Sequence, residues 1–325
     1  MSTSLLTKAL RTSTRLLSLP PTRRFATVAS AEADTQPPES SSFTFNDRPA
    51  TETDVVCIKA PTLAADGGRS SSSVTMPLSF MTGSVVGRRF YKEVTTRPAD
   101  DGNGWTVMLD YRTLKTPSKR PLKLPTLGLA KAVAAEWDYQ ETDGIRPFTM
   151  PLMKLACTAL ERVPITRPKI IDYLVKKFHQ DLVFCRAPED GVLTRDVYEK
   201  QVEKLDPLLD WVKSEFGFRP VVYSSFFGGR QEDGLVKAVE NLLKNTDNSE
   251  LASIDAIASA AHSLVIAIAM FRGKLDIDQA VELIRLEEDL QVDRWGLVEG
   301  GHDLDIADLR VQIASAIVFL GLSKA

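Results

Sequence analysis

Strand-type and helix-type sequence are segregated along this chain, and that segregation limits the fold more than any single motif. Between Arg89 and Leu124 the chain runs in short aromatic and β-branched stretches separated by turn residues. From Thr126 onward, apolar residues recur at spacings of three and four, the period of a helix with one buried face. Strands followed by helices, rather than alternating with them, point to an α+β protein and not to a parallel α/β sheet.

The spacing predicts a small antiparallel sheet with helices over residues 87–164 and an all-helical region over 165–325. Phe90-Tyr91-Lys92-Glu93-Val94-Thr95 reads as the first strand. Turn residues from Pro98 to Gly104 lead into Trp105-Thr106-Val107-Met108-Leu109, which alternates with Trp105, Val107 and Leu109 on one face. A tight turn at Asp110 to Arg112 precedes Leu114-Lys115-Thr116, and Pro121 to Leu124 can add one short strand. Thr126 is placed to cap a helix through Gln140, and Thr149 with Pro151 to open another that runs to about Arg162. Trp105 and Trp137 read as core residues.

In the second region, Thr166 and Pro168 open a helix, and another spans Thr194 to Phe216, with Pro207 expected to kink or split it and Gly217 as its stop. Phe218 to Ser225 reads as extended. Further helices are expected near 233–244, 249–271, 277–294 and 305–320, with Asp276 and Gln279 as a capping box and Gly273 and Gly321 at C-terminal caps. The most hydrophobic stretch, Ile254 to Phe271, also holds Asp255, Ser259, His262 and Ser263, so it reads as a buried central helix and no membrane insertion is expected.

Charge is distributed unevenly. The 325 residues carry a formal net charge of -3, yet residues 1–31 hold five basic residues and no acid. The remainder therefore has 35 basic against 43 acidic residues. Lys8, Arg11, Arg15, Arg23 and Arg24 lie among Ser, Thr and Leu, the make-up of an organelle transit peptide and not of a secretory signal. Arginines before Phe25-Ala26 favour a mitochondrial presequence over residues 1–26, with chloroplast import as the competitor. Residues 27–86, rich in Ser, Thr, Pro and Ala, read as a disordered linker because they offer little apolar surface to bury.

Motifs for catalysis are scarce. The chain has no P-loop, HExxH or GxSxG pattern, and Cys57, Cys157 and Cys185 are too widely spaced for a zinc cluster or disulfide framework. His179, His262 and His302 have no second ligand at metal spacing. No catalytic residue, metal or cofactor is assigned. An acidic mature chain without a basic stripe argues against nucleic-acid binding. One enzymatic alternative stands, a carboxylate and histidine site assembled from distant residues such as Glu287 and His302.

Acid concentrates between Leu275 and Arg310, where eleven carboxylates face only Arg285, Arg294 and Arg310. On one continuous helical wheel, Ala280, Leu283, Leu286 and Leu290 mark an apolar face and Glu287 projects into it. A carboxylate there is either paired internally, with Arg285, Arg294 or an arginine of another helix, or reserved for a partner. Asp293 to Asp303 follows as a helix end and a loop holding Trp295 and three glycines. In such a loop the tryptophan either packs under the helix end or meets a partner. Candidate partner-binding residues are Glu287, Glu288, Asp289, Asp293 and Trp295.

Several segments together resemble one known family. They are Arg89-Phe90-Tyr91-Lys92-Glu93-Val94, Gly104 through Asp110, Leu114-Lys115-Thr116-Pro117, Ala132 through Asp138, Met150-Pro151-Leu152, Asp206 through Trp211, and Leu286 through Gly296. In this order, over about residues 88–320, they resemble the mitochondrial F1-ATPase assembly factor 2 family, chaperones of the ATP synthase F1 α subunit. His179-Gln180-Asp181-Leu182 and Cys185-Arg186 depart from the family's usual Asp-Thr-Asp-like and Cys-Tyr-Arg runs. The resemblance implies a non-enzymatic, monomeric chaperone of the mitochondrial matrix. Such a protein binds the unassembled α subunit, covers the surface that later meets the β subunit, and releases it for assembly.

Overall fold

The computed structural model describes residues 73–75, 87–191, 194–224, 229–298 and 300–324. The transit segment 1–26 and nearly all of the linker lie outside them. Strands β2 (Val94–Pro98), β3 (Trp105–Leu109) and β4 (Arg112–Lys115) form an antiparallel meander. A short strand β1 (Ser73–Thr75), from within the stretch read as linker, pairs parallel to β4, giving the order β1-β4-β3-β2. The outer edge of a meander offers backbone donors and acceptors that a passing segment can take up.

The first strand begins at Val94 and not at Phe90, because the residues before it serve a helix end instead. Tyr91 is buried, its hydroxyl donates to the carbonyl of Trp137 at 2.6 Å, and the two rings meet edge-on. Arg89 lies over the Tyr91 ring and donates to the carbonyls of Asp138 and Gln140. A cation thus satisfies the last carbonyls of helix α1 (Leu127–Asp138). In the β3–β4 hairpin, Asp110 takes a left-handed φ of 53° while its carboxylate accepts from the backbone of Lys92 and Glu93. Those two N–H groups hold the Asp110 carboxyl below its ordinary range. Thr106 and Met108 are buried as well as Val107 and Leu109, so β3 is covered on both faces. The expected strand at 121–124 is reduced to bridges at Pro121 and Leu124. Gly104 faces Leu124 across one of them, with a φ of 96° and a carbonyl 2.5 Å from where a Cβ would sit, so only glycine fits there.

Thr126 caps α1 by accepting from Leu129 N–H, as its position predicts. Leu129, Ala130, Val133, Ala134 and Trp137 form the buried face. Helix α2 (Pro151–Cys157) does not stop near residue 162. It continues through a π-helical turn, Thr158–Arg162, into α3 (Val163–Phe178), which carries Pro168 inside it. Pro164 cannot donate to Leu160, and Arg120 takes up that carbonyl instead, at 3.5 Å. The 164/165 division therefore falls within one helical path.

Helix α4 (Arg195–Phe216) runs through Pro207 without splitting and ends at Gly217, with φ 78°. Then come α5 (Asp233–Lys244) and α6 (Asn248–Ala261). The expected helix at 249–271 is broken. His262 takes a φ of 50°, and Ser263 caps a new helix, α7 (Leu264–Phe271), by accepting from Ile266 N–H. Asp181 fixes this break from outside, since its carboxylate accepts from Val183 and Val265 N–H. Burial pushes that carboxyl up to about 6, against the hydrogen bonds that hold it ionised. Leu264 through Met270 are all buried, so the central position expected of this stretch holds.

The expected helix at 277–294 also divides, into α8 (Ile277–Ile284) and α9 (Leu286–Trp295), with the predicted capping box at Asp276 and Gln279. The last helix, α10 (His302–Lys324), is longer than its sequence pattern indicated and carries Gly321 inside it, not at a cap. It is long and apolar enough to cross a membrane. Its Ile313, Ala316, Phe319 and Leu320 are nevertheless buried in the core, which runs from Tyr91 of the first region to Phe319. The architecture is α+β.

Candidate partner-binding surface

The break between α8 and α9 sets the geometry of the acidic segment. At Arg285 the backbone leaves the helical path, with φ −93° and ψ 5°, and the side chain folds inward to 3% exposure. A buried guanidinium must be paired. Its Nη1 donates to Glu288 at 2.7 Å and its Nε to Asp289 at 3.1 Å. Glu287, Glu288 and Asp289 form the first turn of α9, where the helix dipole favours negative charge.

The break also restarts the helical wheel. Glu287 does not project into an apolar face but is exposed, and Leu290, placed on that face, is only half-buried. Nor is its partner an arginine. Gln201 of α4, itself 2% exposed, donates its Nε2 to Glu287 at 2.6 Å and accepts from Ala187 N–H at 2.7 Å. Arg294 reaches Asp196 of α4 at 2.6 Å, and Lys204 of α4 pairs with Glu282 of α8. Residues 196, 201 and 204 thus clamp the acidic segment to α4. Burial raises the Cys185 thiol above its ordinary value, the Glu287 charge adds to this, and Arg186 opposes it.

Asp293 and Trp295 stand differently. Asp293 is exposed and has no ion pair among the described residues. Trp295 is 73% exposed and does not pack under the helix end. Gly296 terminates α9 with φ 86°, donating to Val292, and Gly300 also takes a positive φ. Leu297 and Val298, which are not among the five candidate residues, are exposed beside Trp295. Their signal was present as apolar residues bracketed by Gly296 and Gly300. Of the five candidate residues, therefore, three are held by internal partners, and Asp293 and Trp295 face solvent.

Two of the three histidines have structural partners. His179 Nδ1 accepts from Gln231 N–H, and His302 Nδ1 accepts from Val298 N–H at 3.4 Å. Glu287 and His302 thus engage different groups. Among the described residues no set of three His, Cys, Asp or Glu side chains is gathered as a metal would require. The apolar groove of about 500 Å³ beside Leu124, Ala159 and Phe319 contains none of the candidate residues.

The fold is that of solved chaperone structures. The crystal structure of Atp12 from Paracoccus denitrificans superposes with a TM-score of 0.65 at 29% identity, covering 73% of this chain and 98% of that one. A mutant of that bacterial protein gives a TM-score of 0.64 at 30% identity with the same coverage. Residues 88–213 match the family described as ATP12 chaperone protein. The mitochondrial atp12 protein of Schizosaccharomyces pombe is 26% identical over 244 residues, which is 71% of this chain and 81% of that protein. The chain belongs to the ATP12 chaperone family.

Proposed function

We propose that this chaperone acts in ATP synthase assembly in the mitochondrial matrix. It binds the unassembled F1 α subunit, covers the surface that will contact the β subunit, and yields it when β arrives. An unassembled subunit interface is apolar and prone to aggregate until covered. The observation that carries the reading is the exposed apolar loop of Trp295, Leu297 and Val298 beside Asp293, which is exposed and has no ion pair among the described residues, in a chain of this family. Tryptophan is enriched among residues that dominate binding energy, and an adjacent carboxylate adds selectivity and a faster encounter. A modest surface of this kind suits a complex that must also come apart. Residues 1–26 would direct import.

The test is affinity capture of the mature chain from mitochondrial extract. Recovery of α subunit with little β supports the reading. Capture of assembled α and β together, or of neither, would overturn it.

A further inference from the structure

The loop that exposes Trp295 leads directly into α10, and α10 is covered on one side only. Leu304, Val311 and Val318 recur every seven residues, away from the buried Ile313, Ala316, Phe319 and Leu320, and are 63%, 52% and 45% exposed. Ala307, Ala314 and Gly321 repeat at the same interval along one flank, and a Cβ at Gly321 would meet nothing. Small residues beside branched ones leave a smooth ridge, about 21 Å long from Leu304 to Val318.

Charge marks one end of the ridge. Asp303, Asp305 and Asp308 surround Leu304 in the first turns of α10, and Asp293 precedes the loop. Among the described residues Asp293, Asp303 and Asp305 make no ion pair, while Asp308 accepts from the side chain of Gln312. Every lysine and arginine from residue 275 onward is engaged. Arg285 holds Glu288 and Asp289, Arg294 holds Asp196, Arg310 holds Asp278, and Lys324 holds Glu250. The uncompensated charge at this end is negative.

We infer that α10 is a docking ridge for an amphipathic segment of a partner protein, apolar along its length and basic at the end that meets Asp303, Asp305 and Asp308. This rests on the reading that the chain shields an unassembled subunit, and it names the chemistry of the segment shielded. Charge selects this occupant over two others. An anionic bilayer is repelled by the acidic end, and a second copy of the chain brings a surface of the same sign. A helical occupant matching the ridge needs about four turns.

The experiment uses the full mature chain and two exposed variants, Val311→Lys/Val318→Lys and Asp303→Lys/Asp305→Lys. Binding is measured to purified F1 α subunit and to a synthetic helical peptide of leucine and lysine with its lysines at one end. Expected are unchanged thermal midpoints, at least about tenfold weaker binding by the valine variant, and a slower, less salt-dependent association by the aspartate variant. Binding of the peptide but not of α, with loss in both variants, leaves the ridge standing and removes the α-subunit reading. Undiminished binding by folded variants, or binding of neither probe, overturns the ridge. So does flotation of the chain with phosphatidylglycerol vesicles, or self-association that the valine variant abolishes.

Discussion

Helices α9 and α10 flank the same loop and differ in what they leave unsatisfied. On α9 the charges look like a binding surface in sequence, yet Glu287, Glu288 and Asp289 are engaged by Gln201 and Arg285. On α10 the sequence shows only a further helix, yet Leu304, Val311 and Val318 remain exposed. Residue type alone does not decide which groups are free to meet a partner. That depends on whether each group already has a partner within the fold.

Substitutions on either side of that contrast should separate stability from binding. Arg285→Ala should cost the most, about 3 kcal/mol in urea unfolding, because it opens a void where a 3%-exposed side chain packs, whereas Glu288 and Asp289, more than half exposed, return to solvent. A loss under about 1 kcal/mol would show that the break does not depend on this residue.

Glu136 extends the same reasoning to pH. Its carboxylate accepts from Leu152 and Met153 N–H at the start of α2, and burial pushes it up to about 7, against those bonds. A folded value above the unfolded one, near ~4.3, means that the folded state favours the protonated form. The stability from this group is complete below the unfolded value and lost as pH rises through about 7. Between those limits wild type should lose on the order of 3 kcal/mol, and Glu136→Gln should flatten that slope. An unaltered slope would assign the dependence elsewhere.

Glu287→Ala should cost about 1 kcal/mol by leaving the buried Gln201 amide unpaired, with binding to the α subunit largely kept once the protein is folded. Weak binding at undiminished stability would return Glu287 to the partner surface. Trp295→Ala should change stability least, within about 0.5 kcal/mol, while weakening binding.

Features set by neighbours in sequence were legible in it. The Thr126 cap, the Gly217 stop and the Asp276–Gln279 capping box each depend on residues within one turn. Features set from a distance were not. The His262 break is held by Asp181, and the path across Pro164 by Arg120. The restart at Arg285 moved Glu287 from the apolar side of the wheel to the hydrogen bond with Gln201. Trp295 stood out because a tryptophan among glycines is unusual, but its exposure required the fold. The ridge on α10 was hidden because a seven-residue apolar repeat reads the same whether the core or a partner covers it.

The central claim, that the exposed Trp295 loop carries partner binding, is tested most directly by the affinity of purified F1 α subunit for wild type and Trp295→Ala. Binding should fall at least about tenfold while the thermal midpoint and circular dichroism stay those of wild type. Equal affinity from an equally folded variant would contradict it.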